Sequence, residues 1–287
     1  MTTFETPTPL SVTIDIVGDA RITASDRTDT VVDVRPRNPS KAGDVKAAEE
    51  AVVECRDGRL LVRTPKHRRR FTPFGGGERV TVTIDLPTGS AVEASTDMGD
   101  LTTEGELGAC RLETAMGDIR LDHTGALHAT TAHGNVVVDR VVGEAEVTTS
   151  SGDVRLGDLD GVAVIKSSNG DTAVADVTGD LRVKAANGDI TVGRAHRSVV
   201  AKTANGDVRI RDVSHGAIVM ETAKGEIEVG IPEGVAAWLD VSTSFGTVRN
   251  TLGAADGPGP SEGTVEVRAR SSFGDIVIGR STADASR

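Results

Sequence analysis

Apolar and polar residues alternate along most of the chain, and this alternation returns at a nearly constant interval. Over the middle of the sequence, glycines followed by Asp, Asn or Glu recur about every 18 residues. They are Gly99, Gly117, Gly134, Gly152, Gly170, Gly188, Gly206 and Gly225. The second and fourth positions after each glycine are apolar in most units. A period of two predicts a β-strand with one buried face.

A second alternating stretch follows later in each unit. Its first apolar column contains Cys110, Leu127, Ala145, Ala163, Leu181, Val199 and Ile218. Two columns follow at intervals of two residues; the second holds small residues, namely Thr114, Thr131, Thr149, Ser167, Ala185, Thr203 and Thr222. Each unit therefore has room for two or three short strands and turns.

Fixed repeats of this length are typical of stacked units that each contact only their neighbours. The pattern predicts an all-β fold, a single-chain parallel β-solenoid (β-helix) whose coils of about 18 residues pair with the coils above and below. Two cross-sections stay open. One is flattened, and the other is triangular, with a third short side formed by Leu159, Val177, Ala195 and Val213.

The regularity of the repeat divides the chain into four regions. A cap is expected at the start, because the open end of a solenoid is an exposed sheet edge. The regions are a β-rich N-terminal lead-in and cap at 1–90, regular repeats at 91–250, a loop with a degenerate terminal repeat at 251–280, and a disordered tail at 281–287.

Two Pro-x-Gly segments, 86–101 and 231–248, resemble each other. In each, the Pro-x-Gly introduces a strand that runs into Ser or Thr and then into a corner glycine. Trp238, Phe245 and Phe273 lie in the C-terminal stretch, where a cap needs bulky side chains.

Composition narrows the class of function. Aromatic residues make up only 2%, which favours a thin core over a thick globular one. The net charge of -11 argues against nucleic-acid binding, because phosphate contacts need a basic face. The first residues have neither a basic start nor an apolar run of signal-peptide length, and no stretch has the length of a membrane helix. These features predict a cytoplasmic protein.

One loop concentrates basic and aromatic residues and is the candidate partner-binding site. Such a loop could meet an acidic protein, a lipid headgroup or a nucleic acid, although a solvated hairpin loop is the favoured interpretation. The candidate residues are Lys66, His67, Arg68, Arg69, Arg70, Phe71 and Phe74.

The acidic residue that follows each corner glycine forms a second candidate site. Stacked carboxylates could bind Ca²⁺, which would relieve their mutual repulsion. The favoured alternative is that each Asp accepts hydrogen bonds from backbone N–H groups at its own corner. The column comprises Asp100, Asp118, Asp153, Asp171, Asp189, Asp207 and Glu226.

Cysteine and histidine give no clear chemical centre. Cys110 occupies an apolar column and is expected to be a small core residue, and Cys55 lies in another strand pattern. The histidines fall in different columns, so surface positions are favoured over a metal site. They are His123, His128, His133, His196 and His215. We expect no catalytic residue, no metal and no cofactor.

The recurrent [Ser/Ala/Asn]-Gly-Asp-[Val/Ile]-x-[Val/Ile/Leu] units, the Leu-Pro-x-Gly entry at 86–89 and the strand-rich lead-in resemble the bacterial "putative adhesin" β-repeat family, also called the Toastrack domain. The resemblance covers about residues 10–280. It implies a bacterial β-repeat protein of unknown function, with a link in some members to cell-envelope stress.

We therefore expect a non-enzymatic binding or scaffolding surface for an unknown protein or glycan partner. Outward strand positions such as Arg155, Thr191, Arg209 and Glu228 would form that surface. A self-assembling solenoid that associates end to end is the alternative. A polysaccharide-processing β-helix enzyme is disfavoured, because such enzymes need clustered acids and aromatic stacking, and the chain has no Tyr.

Overall fold

The computed structural model describes residues 1–64, 78–253 and 263–281. The chain divides into two compact units, Met1–Arg140 and Val141–Arg287. Parallel strands dominate both units, which confirms the predicted all-β parallel β-solenoid.

Unit 1 contains one described helix, α1, among its strands. Its elements are β1 (Thr2–Glu5), β2 (Ser11–Ile16), β3 (Gly18–Ser25), β4 (Asp29–Pro36), α1 (Ala42–Glu49), β5 (Val52–Arg56), β6 (Arg59–Arg63), β7 (Val80–Pro87), β8 (Ala91–Met98), β9 (Leu101–Glu104), β10 (Glu106–Leu107), β11 (Cys110–Met116), β12 (Ile119–Thr124), β13 (Leu127–His133) and β14 (Val136–Val142), whose last residues cross the unit boundary.

Unit 2 consists of strands in the described part of the chain. They are β15 (Ala145–Ser151), β16 (Val154–Asp160), β17 (Ala163–Asn169), β18 (Thr172–Val177), β19 (Leu181–Asn187), β20 (Ile190–Ala195), β21 (Val199–Asn205), β22 (Val208–Val213), β23 (Gly216–Lys224), β24 (Ile227–Ile231), β25 (Ala236–Phe245), β26 (Val248–Asn250), β27 (Thr264–Phe273) and β28 (Ile276–Arg280).

Each coil contributes one strand to each of two sheets, here called sheet A and sheet B. In unit 2, sheet A has the order β16-β18-β20-β22-β24-β28-β26 and sheet B the order β15-β17-β19-β21-β23-β27-β25. Alternate residues of both sheets are buried, and they form the core between them. Strands spaced by one repeat pair in register, as Val183 does with Ala201.

The two-sheet arrangement bears on the cross-section. Leu159, Val177, Ala195 and Val213 are buried and pair in register near the ends of sheet A strands. They belong to the sheet A strands and follow a position, two residues earlier, at which the residue pairing is skipped. In the described coils these residues therefore form no separate third sheet, which favours the flattened cross-section.

The N-terminal region of unit 1 supplies both coils and a cap. β2 and β3 pair in parallel with β8 and β9, so they form an ordinary coil. β6 and β7 form the next coil outward. Beyond them, β5 pairs antiparallel with β6, β4 with β7, and β1 with β4. The change to antiparallel pairing ends the stack of coils in this unit.

The helix α1 was not expected from the strand pattern of the lead-in. Its buried Asp44 accepts hydrogen bonds from the backbone N–H groups of Asn38 and Arg79, each at 3.1 Å. Burial acts to raise the pKa of Asp44, but the Arg79 N–H, Lys41 and the Asn38 N–H outweigh burial and lower the pKa. The carboxylate thus ties α1 to the chain segments on both sides of it.

Strand pairing in unit 2 departs from chain order at its C-terminal end. β27 pairs in parallel with β23 on one side and with β25 on the other. β28 lies in the same way between β24 and β26. The last coil in the sequence is therefore the penultimate coil in space, and the β25–β26 coil stands at the edge of the described sheets.

Both Pro-x-Gly segments mark places where the chain passes over a coil. From β7 the chain enters β8, and the β2–β3 coil lies between these two strands' coils. From β24 it enters β25, and the β27–β28 coil lies between. The two segments thus resemble each other because both connect coils that are two positions apart in the stack, whereas an ordinary turn connects adjacent coils.

Specific hydrogen bonds stabilise each crossing. The buried Ser90 Oγ donates to the carbonyl of Pro87 at 2.6 Å and accepts from the backbone N–H of Leu10 at 3.2 Å. In the second crossing, Arg280 Nη1 donates to the carbonyl of Pro232 at 2.6 Å. In both cases the donor or acceptor comes from the coil that is crossed or from its end.

The corner glycines stack directly on one another within each unit. Gly188 has φ +125°, and a Cβ there would lie 2.2 Å from the carbonyl oxygen of Gly170. The same close approach recurs between Gly206 and Gly188, where the distance would be 2.1 Å. No residue with a Cβ atom fits this spacing without moving the backbone of the neighbouring coil.

The column of small hydroxyl residues completes the corner. Thr222 Oγ1 donates to the carbonyl of Gly206 at 2.9 Å, and Ser271 Oγ donates to that of Gly225 at 3.1 Å. These hydroxyls are buried, so the bonds satisfy polar groups inside the stack. Thr114, Thr131 and Thr203 donate to their corner glycines in the same way. Thr149 and Ser167 form no such bond, so there the small side chain only saves space.

A comparison of two glycines tests the stacking. We expect Gly188→Ala to lower the free energy of unfolding by about 3 kcal/mol, because it adds both left-handed strain and a clash with Gly170. Gly58 also has positive φ, but nothing lies within 4 Å of its Cβ position. Gly58→Ala should therefore cost about 1 kcal/mol. Urea unfolding of both variants measures the difference, and equal losses would refute the steric role of the stack.

Candidate functional site

The basic and aromatic loop predicted as a partner site cannot be placed. Lys66, His67, Arg68, Arg69, Arg70, Phe71 and Phe74 all lie outside the described residues. Their role in partner binding stays a prediction from the sequence.

The outward strand positions predicted to form a binding surface lie together on sheet A of unit 2. Arg155, Thr191, Arg209 and Glu228 occupy one column across β16, β20, β22 and β24, with Ala173 completing it on β18. Both arginines are engaged within the column or beside it. Arg155 contacts Asp153 at 2.8 Å, and Arg209 contacts Glu228 at 3.1 Å. This face therefore largely neutralises its own charges.

The outer face of sheet B in unit 2 carries a column that the sequence reasoning missed. Lys166, Lys184 and Lys202 lie side by side on β17, β19 and β21, and we call them the lysine column. Their backbones are about 4.8 Å apart, as in any pair of adjacent strands. The signal was present in the sequence, because these lysines recur at intervals of 18 in an outward position.

The two outer lysines are paired and the central one is not. Lys166 Nζ lies 2.9 Å from Glu146 Oε1, and Lys202 Nζ lies 2.7 Å from Glu221 Oε2. Lys184 has no ion-pair partner among the described residues. Arg182, which precedes it by two residues on the same face of β19, has none there either. The centre of the face therefore holds two exposed cations that form no ion pair with any residue the structure describes.

An asparagine ladder borders this face at the corner of the coils. Asn187 Nδ2 donates to Asn169 Oδ1 at 2.9 Å, and Asn205 Nδ2 donates to Asn187 Oδ1 at 2.9 Å. The ladder continues in register through Lys224 to Phe273 and Phe245. Stacked amides hold the coils in register, and they also leave a flat polar strip beside the lysine column.

The acidic column forms hydrogen bonds from coil to coil. Asp171 Oδ1 accepts from the backbone N–H of Asp189 at 2.9 Å, and Asp189 Oδ1 accepts from that of Asp207 at 2.8 Å. In unit 1, Asp100 Oδ1 accepts from the N–H of Asp118 at 2.9 Å. The acceptor role expected of these residues is present, but the donor belongs to the next coil and not to the residue's own corner.

The residues considered as metal ligands do not form a common site in the described structure. Among the described residues, no group of three or more His, Cys, Asp or Glu side chains could hold a metal ion. His123 contacts Asp122 at 2.6 Å, and His196 contacts Asp176 at 3.0 Å, both near the surface. Each pair is a local contact on the outer face of a coil.

The two cysteines differ in their surroundings. Cys110 is 3% exposed and occupies the apolar column, and burial raises the pKa of its thiol. Cys55 is half-buried, and burial raises the pKa of its thiol as well. It lines a groove of about 450 Å³ with Phe4, Leu10 and Arg56. Raised pKa values keep both thiols protonated at neutral pH, which makes them poor nucleophiles.

The aromatic residues expected to fill a cap are largely exposed. Trp238 is 55% exposed and Phe245 67% exposed. Phe245 and Phe273 stack with ring centroids 4.8 Å apart on the outside of the corner. Their bulk therefore adds to the surface of the edge coil, and the expectation that they fill a cap is wrong.

The comparisons place the chain in a family. The sequence model of the Toastrack DUF4097 family matches residues 12–279. The chain belongs to the Toastrack family. No curated protein matches it.

Solved structures similar to this Toastrack chain are distant in sequence. A "putative adhesin" from Bacteroides fragilis is 17% identical, covers 97% of this chain and 95% of its own, and has a TM-score of 0.41. A "putative adhesin" from Parabacteroides merdae is 14% identical, covers 79% and 94%, and has a TM-score of 0.47. A "putative lipid binding protein" from Parabacteroides distasonis is 14% identical, covers 97% and 96%, and has a TM-score of 0.37.

Membership of the Toastrack family assigns no specific function. In the described part of this Toastrack chain, no helix has the length and apolar character that a membrane span requires.

Two substitutions at one Toastrack corner test the role of the acidic column. Asp189→Ala removes the acceptor for the Asp207 N–H and should lower the free energy of unfolding by about 1 kcal/mol. Asp189→Asn removes the same charge but keeps an acceptor oxygen, so its stability should stay close to that of the native chain. Urea unfolding compares the two. Equal losses would show that charge, and not the hydrogen bond, is what the position contributes.

Proposed function

We propose that this chain is a non-catalytic binding protein that presents the outer faces of its solenoid to an extended partner, a protein or a glycan. The observation that carries this proposal is the in-register array of outward side chains on sheet B of unit 2. Its centre holds Arg182 and Lys184 without ion-pair partners among the described residues. Repeat proteins commonly bind through such continuous surfaces.

The arrangement of the charged groups supports a binding role over a catalytic one. The carboxylates of the acidic column are engaged in hydrogen bonds between coils. Asp153 and Asp207 also contact arginines of their own strands, Arg155 and Arg209. These acids stabilise the scaffold, so they are not free to act as catalytic groups.

The cytoplasmic location and a link to cell-envelope stress belong to the same proposal. Fractionation of cells that contain the native protein tests the location. Recovery with the cytosol is expected, and cleavage by protease added to intact cells would contradict it.

A polymer panel tests the function with the full chain. The immobilised protein is exposed to acidic and neutral linear polysaccharides, to acidic peptides and to extracted envelope proteins. We expect saturable binding of at least one class without release of new reducing ends or peptide fragments. Depolymerisation would contradict the non-catalytic role, and failure to retain any class would contradict binding.

The same panel tests the basic loop. If that loop is the contact, Arg68→Ala, Arg69→Ala and Arg70→Ala together should weaken retention, whereas unchanged retention would discard it.

Self-assembly is a second candidate, favoured by the edge coil of unit 2. β25 pairs with β27 on one side and has no strand on its other side among the described residues. It also exposes Trp238 and Phe245. An edge of this kind can pair with another chain.

Light scattering over a range of concentrations tests this candidate. Association that grows with concentration and is weakened by Trp238→Glu would support it, and a monomer at every concentration would rule it out.

A further inference from the structure

The lysine column is unusual in this protein because it opposes the chain's overall charge. The net charge is -11, yet three lysines and Arg182 gather on one sheet face of unit 2. Like charges that lie directly opposite each other on neighbouring strands destabilise a sheet. A group of residues that lowers the stability of the fold is a candidate functional site.

The ion pairs relieve this repulsion only at the two ends of the column. Lys166 reaches Glu146 and Lys202 reaches Glu221, so each outer ammonium is drawn away from the centre. Lys184 stays between them beside Arg182. An anion at this centre would contact two unpaired cations directly, and it would reduce the repulsion along the whole column.

Apart from the outer lysines, the side chains around Arg182 and Lys184 are short. Val164 and Val200 flank Arg182 in register on the neighbouring strands. On the other side, Ser168 and the asparagine ladder give hydroxyl and amide groups at the surface. Glu221 ends the column one coil beyond Lys202. The site is therefore a short strip about three coils long, with polar groups along one border.

We propose that the lysine column and Arg182 bind a short segment of a linear anionic polysaccharide that carries carboxylate or sulfate groups. This inference rests on the proposed binding function and names its ligand class. The cations would bind the charged groups of the polymer, and the serine and asparagine border would bind sugar hydroxyls.

The width of the strip favours a thin polymer over other polyanions. A planar anionic membrane would also cover the ion-paired parts of the same sheet face, where Glu146, Glu221 and Asp240 offset neighbouring cations, and it would repel the rest of an acidic protein. Nucleic acids need a broader basic surface for their phosphates. An acidic peptide would find no free backbone groups on a sheet face with which to pair. A single linear polysaccharide chain is narrow enough to contact the cations without covering the acidic residues of the same face.

Binding of defined polymers by the full-length protein tests the inference. The probes are heparin and polygalacturonate, with dextran as the neutral control. We expect the acidic probes to bind, their affinity to fall as salt rises, and dextran not to bind. Arg182→Ser with Lys184→Ser should weaken the binding about fivefold or more.

A matched variant separates local contacts from a general change of charge. Arg140→Ser with Arg211→Ser removes the same two charges from exposed positions on sheet A strands, outside the lysine column, and should leave the affinity unchanged. The Arg182→Ser, Lys184→Ser variant should also unfold at the same or a higher urea concentration than the native chain, because it removes like charges from the column. Loss of affinity together with loss of stability would overturn the assignment.

The remaining outcomes distinguish this inference from the proposed function. If acidic polymers bind equally to both variants, or lose affinity only on substitution of Arg68, Arg69 and Arg70, the lysine column is not the site and the binding function stands. If only neutral polysaccharides, peptides or envelope proteins bind, the ligand class is wrong and the function stands. If no member of the panel binds, both fail.

Discussion

The close contact between corner glycines sets the geometry of the stacked coils. From Gly99 onward, most coils place a glycine against the carbonyl of the glycine in a neighbouring coil, at a distance that leaves no room for a Cβ. At several corners a threonine hydroxyl donates to the glycine carbonyl from inside, and aspartate carboxylates accept backbone N–H groups on the outside. Because this contact recurs once per coil, every outward position also recurs, and a residue type repeated in the sequence becomes a column in space.

The recurrence of residue types once per coil explains how much of the fold was predictable from the sequence. The glycine interval gave the coil length, and the period of two gave the buried columns that the strand register confirms. The lysine column was predictable by the same alignment. The interleaved C-terminal coil was not, because β27 satisfies the pairing rules equally well at the edge or between β23 and β25. The Pro-x-Gly segments carried the only hint, and their meaning depends on strand order.

The candidate site is identified by a difference in ion pairing between the outer faces of sheets A and B in unit 2. On sheet A of unit 2 the arginines are paired with acids of their own or neighbouring strands, so Arg155 and Arg209 serve the scaffold. On sheet B the acids reach only the outer lysines, and Arg182 and Lys184 stay available. The basic residues at 66–74 are neighbours along the chain and are therefore evident in the sequence, whereas a solenoid brings together residues that are a full repeat apart.

Disulfide trapping in the lysine column tests the central claim, which is that residues 18 apart lie side by side on one face. In a background with Cys55→Ser and Cys110→Ala, the pair Lys166→Cys with Lys184→Cys joins adjacent coils, whose Cα atoms lie about 4.8 Å apart and within disulfide range. The pair Lys166→Cys with Lys202→Cys is two coils apart, roughly 9.6 Å, and beyond that range. We expect rapid oxidation of the first pair within the monomer and none of the second. Equal oxidation of both pairs, or oxidation of the second alone, would contradict it.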